Sequence, residues 1–345
     1  MKETFFQLND PIIAVAWSPC GRRLAVAGVS GPGAVLDPAT GAVLCEMAGH
    51  AGGTMALDWS RKHNAIVTAG ADGRAVIWSA DSGALVRELD GGANWVEHAR
   101  YSPDGTHLAT AAGRRLRVWS ASGERLFEFA DHESTVAAID WRADGRGLVS
   151  ACYGKLRCFR LGDKEPYEIL KWKSSFLSVA WNATGRYIAA GTQEATIQFY
   201  RLPSRGAEPL QMSGYPAKIR RPAWDHTGRW LATDGGPVGI VWDTSGKGPH
   251  GTTPRQLEGH PARLTALAFQ RRGPLLATGC EKGALFIWNP NLGNAHLKAA
   301  RFRAAVNHLA WSPDDQVVAV ACQDGSVHLV DAPAPVSAKQ TRVKL

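Results

Sequence analysis

The sequence predicts an all-β ring built from one small sheet unit copied many times. Three observations point there. First, an aromatic residue recurs at a near-constant interval: Trp17, Trp59, Tyr101, Trp141, Trp181, Trp224, Phe269 and Trp311, spaced by 42, 42, 40, 40, 43, 45 and 42 residues. Second, most of these anchors are followed by a turn with Gly at the same offset: SPCG (18–21), SPDG (102–105), RADG (142–145), NATG (182–185) and DHTG (225–228). SPDD (312–315) departs from that rule. Third, each turn leads into a short apolar run rich in small residues, such as RLAVAG (23–28), RYIAAG (186–191) and VVAVAC (317–322). A strand covered on both faces reads this way.

Each unit resolves into four strands. The anchor ends the first, and the small apolar run is the second. The third ends near Trp78, Trp119, Phe159, Phe199, Trp242 or Trp288. The fourth is more polar, as in LVRELD (85–90) and RLFEFA (125–130), and belongs on the wet outer edge. Four short strands repeated radially make a β-propeller. Eight anchors predict eight four-stranded blades, with seven blades plus an irregular unit as the fallback. The last unit supplies only three clear strands. TFFQL (4–8) stands before the first anchor, where other units carry their outer strand, so it is expected to complete the last blade and close the ring. The propeller is expected to span residues 1–331, followed by a basic tail over 332–345.

Gly49-His50, Asp72-Gly73, Trp78, Gly259-His260, Trp288 and Trp242-Asp243 add a family likeness. Together with the period, they resemble the WD40 repeat over about residues 4–331. Trp242-Asp243 is the one Trp-Asp pair at the end of a third strand, and Asp131-His132 is a partial third match to Gly-His. The resemblance implies a hydrogen-bonded structural set in the second unit: His50, Thr68, Asp72 and Trp78. It also implies a structural His260 and a protein-docking face at the loops before the inner strands.

Composition narrows the classes further. The six cysteines are irregularly spaced with no Cys-x-x-Cys pair, so reduced thiols in a cytoplasmic protein are expected. No secretory pattern or membrane-length apolar run is present. Cys152, Cys280 and Cys322 each lie eleven residues past their anchors, where small residues pack, and no metal is assigned to them. Catalytic signatures are absent: no His-Glu-x-x-His, Gly-x-Ser-x-Gly, phosphate loop or dinucleotide glycine pattern. No enzyme activity and no cofactor are expected.

Charge is uneven. Residues 201–303 hold 15 Lys and Arg against 6 Asp and Glu, which accounts for the whole positive balance of the chain. Trp95 and Trp172 lie outside the repeat positions. Trp and Arg are favoured interface anchors, so Trp95, Trp172, Lys218, Arg220, Arg221, Arg263 and Arg303 are the candidate partner-binding residues. Glu97, His98, Asn307 and His308 precede their anchors by four and three positions and are candidates for the channel mouth. The leading expectation is a non-enzymatic scaffold that binds a protein or peptide, acidic by charge complementarity. A second reading is nucleic-acid or phosphorylated-ligand binding by units six and seven, less favoured for want of a nucleic-acid module. A third, an enzyme using Glu97, His98 or His308, ranks last. No membrane partner is expected.

Overall fold

A computed structural model describes residues 5–246 and 248–334 of the chain. Among them are strands joined by turns, with no helix. The regular unit is a meander. In the second, strands Thr54–Trp59, Ala65–Gly70, Arg74–Ser79 and Leu85–Asp90 lie side by side in that order. The second strand is almost wholly buried and the fourth mostly exposed, which is the polarity gradient read from the sequence.

The core lies between sheets. One apolar cluster joins Ile12, Val15, Trp17 and Leu24 of the first unit to Ala319, Ala321 and Val327 of the last. Another joins Ala277, Leu285 and Ile287 to Trp311, Val318 and Val320. A sheet that buries both faces needs a neighbour on each side, so radial packing extends until the ends meet.

The seam is closed by the first strand. Phe5–Gln7 pairs antiparallel with Ser326–Asp331, with Phe6 opposite Val327, and completes the sheet begun by Val306–Trp311 and Val317–Cys322. Leu8 N–H extends the seam by bonding Gly325 O at 2.9 Å. Gly325 has φ +85°, and a Cβ there would sit 1.9 Å from Leu8 O, so the seam needs glycine. The expected strand began at Thr4, which lies outside the described residues, as do residues 335–345 of the expected tail.

The sheet count corrects the expectation of eight separate four-stranded blades. There are seven hydrogen-bonded sheets, the fallback number: six four-stranded and one six-stranded. The six-stranded sheet contains two anchors, Trp141 and Trp181, and two strands of 14 residues, Gly147–Arg160 and Glu168–Trp181. Glu168–Trp181 pairs with Gly147–Arg160 through its first half and with Tyr187–Thr192 through its second. No Gly or Pro interrupts Glu168–Trp181, and Tyr153 pairs with Ser175 across the junction. The ladder shifts register between Tyr153 and Lys155 and between Phe176 and Ser178 but stays hydrogen-bonded, so the fourth and fifth units share one sheet.

Neighbouring inner strands are stitched by the anchors. The indole N–H of Trp141 donates to Arg100 O at 3.0 Å, that of Trp224 to Ala180 O at 3.2 Å, and that of Trp311 to Ala268 O at 3.0 Å. In each case the acceptor immediately precedes the previous unit's anchor. Trp17 repeats the pattern across the seam, donating to Ala310 O at 2.9 Å. Matching positions therefore meet around the ring, and the inner strands run parallel to one another. Every loop entering an inner strand opens on the same face.

The candidate docking face and central channel

The face is set by buried polar networks. In the second unit Trp78 Nε1–H donates to Thr68 Oγ1 at 2.7 Å, and Thr68 Oγ1 meets His50 Nε2 at 2.7 Å. His50 Nδ1 lies 3.0 Å from Asp72 Oδ1. A carboxylate can only accept here, so Nδ1 carries the proton and Nε2 accepts from Thr68. Asp72 also accepts from Arg74 N–H at 3.2 Å, which ties the turn to the network. Gly49, at φ +79°, lies so close to Gly31 that a Cβ would fall 1.6 Å from Gly31 O, hence the glycine before His50.

Other units keep part of this set. His260 Nε2 and Trp288 Nε1 both meet Thr278 Oγ1 at 2.7 Å. Lys282 stands where Asp72 stands in the second unit, and His260 Nδ1 is buried without a partner. His132 pairs with Ser150 at 2.8 Å and with Arg114 O at 3.0 Å. In the sixth unit Tyr215 takes the histidine's part, its hydroxyl meeting Trp242 Nε1 at 3.0 Å and Thr233 Oγ1 at 3.1 Å. Burial pushes both His132 and His260 down to about 4. The thiols of Cys152, Cys280 and Cys322 are all buried.

Of the seven candidate partner-binding residues, Lys218, Arg220, Arg221, Arg263 and Arg303 are exposed. Trp95 is 59% exposed, an unusual state for an indole. Trp172 is half-buried against the core of the fourth and fifth units, with the Lys173 ammonium 5.6 Å from its ring centre. It is a wall of that core more than a free anchor. Arg263 forms an ion pair with Glu281 at 2.6 Å. The backbone N–H groups of Arg220 and Arg221 donate to Asp234 Oδ1 at 2.9 and 3.0 Å, which fixes the chain where it enters the sixth inner strand. Burial, with Arg220 and Arg263 nearby, lowers the proton affinity of the Arg221 guanidinium, while Asp234 opposes that shift.

The channel joins residues far apart in sequence. His98, Arg220, Arg221, Asn307 and His308 line one cavity of about 620 Å³. Glu97 lines an adjoining cavity of about 510 Å³, shared with His98 and His308. Glu97 Oε2 accepts from Gly113 N–H at 3.3 Å, and Asn307 Nδ2 donates to Ile12 O at 3.0 Å. His98 Nε2–H donates to Ala137 O at 3.0 Å. Burial and the Arg100 charge push His98 down to about 4. The two cavities do not include Trp95, Trp172, Lys218, Arg263 or Arg303.

Three channel residues were not singled out from the sequence: Asp58, Arg100 and Asp140. Each immediately precedes its anchor, where five other units have alanine (Ala16, Ala180, Ala223, Ala268 and Ala310). That contrast was the available signal. Asp58 accepts from Tyr101 N–H and Asp140 from Trp181 N–H, both at 2.8 Å. Arg100 bridges to Asp140 at 3.0 Å. Burial raises the pKa of both carboxylates.

The model of the WD domain, G-beta repeat, matches residues 41–79, 83–120, 123–160 and 251–289. That of the anaphase-promoting complex subunit 4 WD40 domain matches residues 296–344. The chain belongs to the WD40-repeat family. Among curated WD40 proteins, the mouse WD repeat domain-containing protein 83 is 29% identical over 32% of this chain and 36% of its own length. The Arabidopsis thaliana guanine nucleotide-binding protein subunit beta is 35% identical over 21% of this chain and 19% of its own. The matches thus span about a third or less of these relatives. Among solved structures, Chaetomium thermophilum Sqt1 superposes with a TM-score of 0.83 at 19% identity, covering 95% of this chain and 97% of that one. The computationally designed Ika8 protein superposes with a TM-score of 0.80 at 20% identity, covering 94% and 98%. Both share the propeller fold. Among the described residues, no helix is long and apolar enough to cross a membrane.

Proposed function

We propose that this WD40 propeller is a non-enzymatic, cytoplasmic scaffold that binds a protein or peptide over the face where loops enter the inner strands. One observation carries the reading. That face presents an exposed indole, Trp95, together with the exposed cations Lys218, Arg220, Arg221, Arg263 and Arg303. Trp and Arg are enriched among the residues that dominate binding energy at interfaces. The positive field favours an acidic segment and speeds its encounter. Residues 1–331 are taken as the propeller and 332–345 as a separate basic tail.

The six-stranded sheet is read as two radial units sharing one ladder, which would give eight units in the ring. Support comes from Leu161 N–H, which bonds Arg146 O at 3.1 Å and folds the long strand Gly147–Arg160 back on itself around Gly154, at φ +72°.

The docking test is capture of the native partner by the wild-type chain, Trp95→Ala and Arg221→Gln. A partner lost from both variants, with salt-sensitive affinity, is the expected result. Equal recovery by all three chains would refute this face as the site.

A further inference from the structure

The middle of the channel collects hydrogen-bond donors that the protein leaves unused. His308, Arg100, Arg220 and Arg221 line the same cavity of about 620 Å³, although they come from three different inner strands or their entry loops. His308 Nδ1 lies 3.4 Å from Val15 N–H and must accept from it. The neutral ring therefore carries its proton on Nε2. That N–H has no protein acceptor among the described residues.

The guanidinium groups are in a similar position. Arg100 gives one N–H to Asp140 at 3.0 Å, leaving four of the five that a guanidinium offers. Arg221 approaches Asp234 Oδ2 at only 3.6 Å, while Oδ1 of that carboxylate accepts from two backbone N–H groups. Arg220 has no ion pair among the described residues. The acidic groups on the wall are committed elsewhere. Asp140 also caps Trp181 N–H, and Asp225 holds Trp230 N–H at 2.8 Å and the Thr227 hydroxyl. The repulsion shows in His308, pushed down to about 4 by burial and then by Arg221 and Arg100.

We propose that the channel binds an oxyanion, a carboxylate or a phosphate, between His308 Nε2–H and the guanidinium groups of Arg100, Arg220 and Arg221. An anion supplies the acceptors these donors lack, and Arg forks match its planar or tetrahedral oxygens. The cavity has the size of an ordinary small-ligand site. The inference rests on the docking-face reading only for the route of delivery: the oxyanion arrives either free or on a partner's acidic or phosphorylated side chain.

The probe is inorganic phosphate, titrated into the full chain at pH 7 with the His308 ring followed by NMR. A saturable shift of the His308 resonances is expected. Its affinity should fall at least ~10-fold in Arg220→Gln/Arg221→Gln, since two charged hydrogen bonds are removed. Lys164→Gln, an exposed loop residue outside the cavity, should leave phosphate binding unchanged. An acidic peptide that competes for the site marks a partner as the source. Phosphate binding without peptide competition upholds the channel site and overturns delivery by the docking face. A ring that does not respond, or a double variant with wild-type affinity, overturns the proposal, with Lys164→Gln as the folded control.

Discussion

Trp17 Nε1 and the main-chain oxygen of Ala310 are hydrogen-bonded at 2.9 Å, although 293 residues separate them in the chain. The bond repeats, at the seam, the stitch that Trp141, Trp224 and Trp311 make inside the ring. Two anchors depart from it: Trp181 bonds Gly185 O in its own turn at 3.2 Å, and the indole N–H of Trp59 is buried and has no partner. The contrast gives an internal control. Trp17→Phe should cost about 1 kcal/mol more than Trp59→Phe, since only the first loses a bond while the second removes an orphaned donor. Denaturant unfolding of the two variants checks this; equal losses would show that the stitch adds no stability.

His260 offers a gain-of-stability test. Its Nδ1 is buried and unpartnered where His50 Nδ1 meets Asp72. Lys282→Asp restores an Asp-Gly turn at the matching position. It should stabilise the chain by about 1 kcal/mol, read as a higher melting temperature. Asp72→Ala should do the reverse in the second unit.

Asp315 holds a left-handed backbone conformation, at φ +61°, where most other units have Gly. Its carboxylate accepts from three successive N–H groups, Arg271, Arg272 and Gly273, at 2.7, 2.8 and 2.9 Å. Asp315→Gly would relieve the backbone but strip these groups of their acceptor. If the bonds outweigh the strain, the variant loses about 1–3 kcal/mol. A variant more stable than wild type would reverse that ordering.

Acid should weaken the fold over a defined window. His98, His132, His260 and His308 are held near 4 in the folded chain, below the ordinary 6.5. Between those values the unfolded chain binds more protons, so stability is present above pH 6.5 and lost as pH falls toward 4. Each shift is worth on the order of 3 kcal/mol by linkage. The raised carboxylates Asp58, Asp140 and Asp234 act in the opposite sense above 3.8 and reduce the total. Unfolding free energy measured from pH 7 to pH 4 should therefore fall steadily. A flat profile would mean that these rings gain protons without unfolding.

The anchors and strand order were legible because they recur at a near-constant interval, and the turns because five of them keep Gly at one offset. Closure was legible because Val306–Trp311 and its two followers lack an outer strand and Phe5–Gln7 has no other sheet to join. What escaped was single-copy. The fused ladder depends on the Tyr153–Ser175 pairing, which no repeat rule contains. Tyr215 does a histidine's work from the histidine's own offset, 18 residues before its threonine, but with a different side chain. Asp315 was visible as a departure from the turn pattern, but its three donors come from another unit. Arg100 and Asp140 meet only after the ring has formed, because residues 40 apart in sequence lie next to each other across one blade interface.

The ring depends most on the seam, where the first strand finishes the last sheet and holds the inner strands in a circle. Deleting residues 1–9 and scanning the chain in a calorimeter tests it directly. Loss of the strand should lower the melting temperature by several degrees, about the effect of 2–4 kcal/mol on a chain of this size, and should expose Val327, which packs with Phe6 and Leu8. A deletion that melts with the full-length chain would contradict a ring closed in this way.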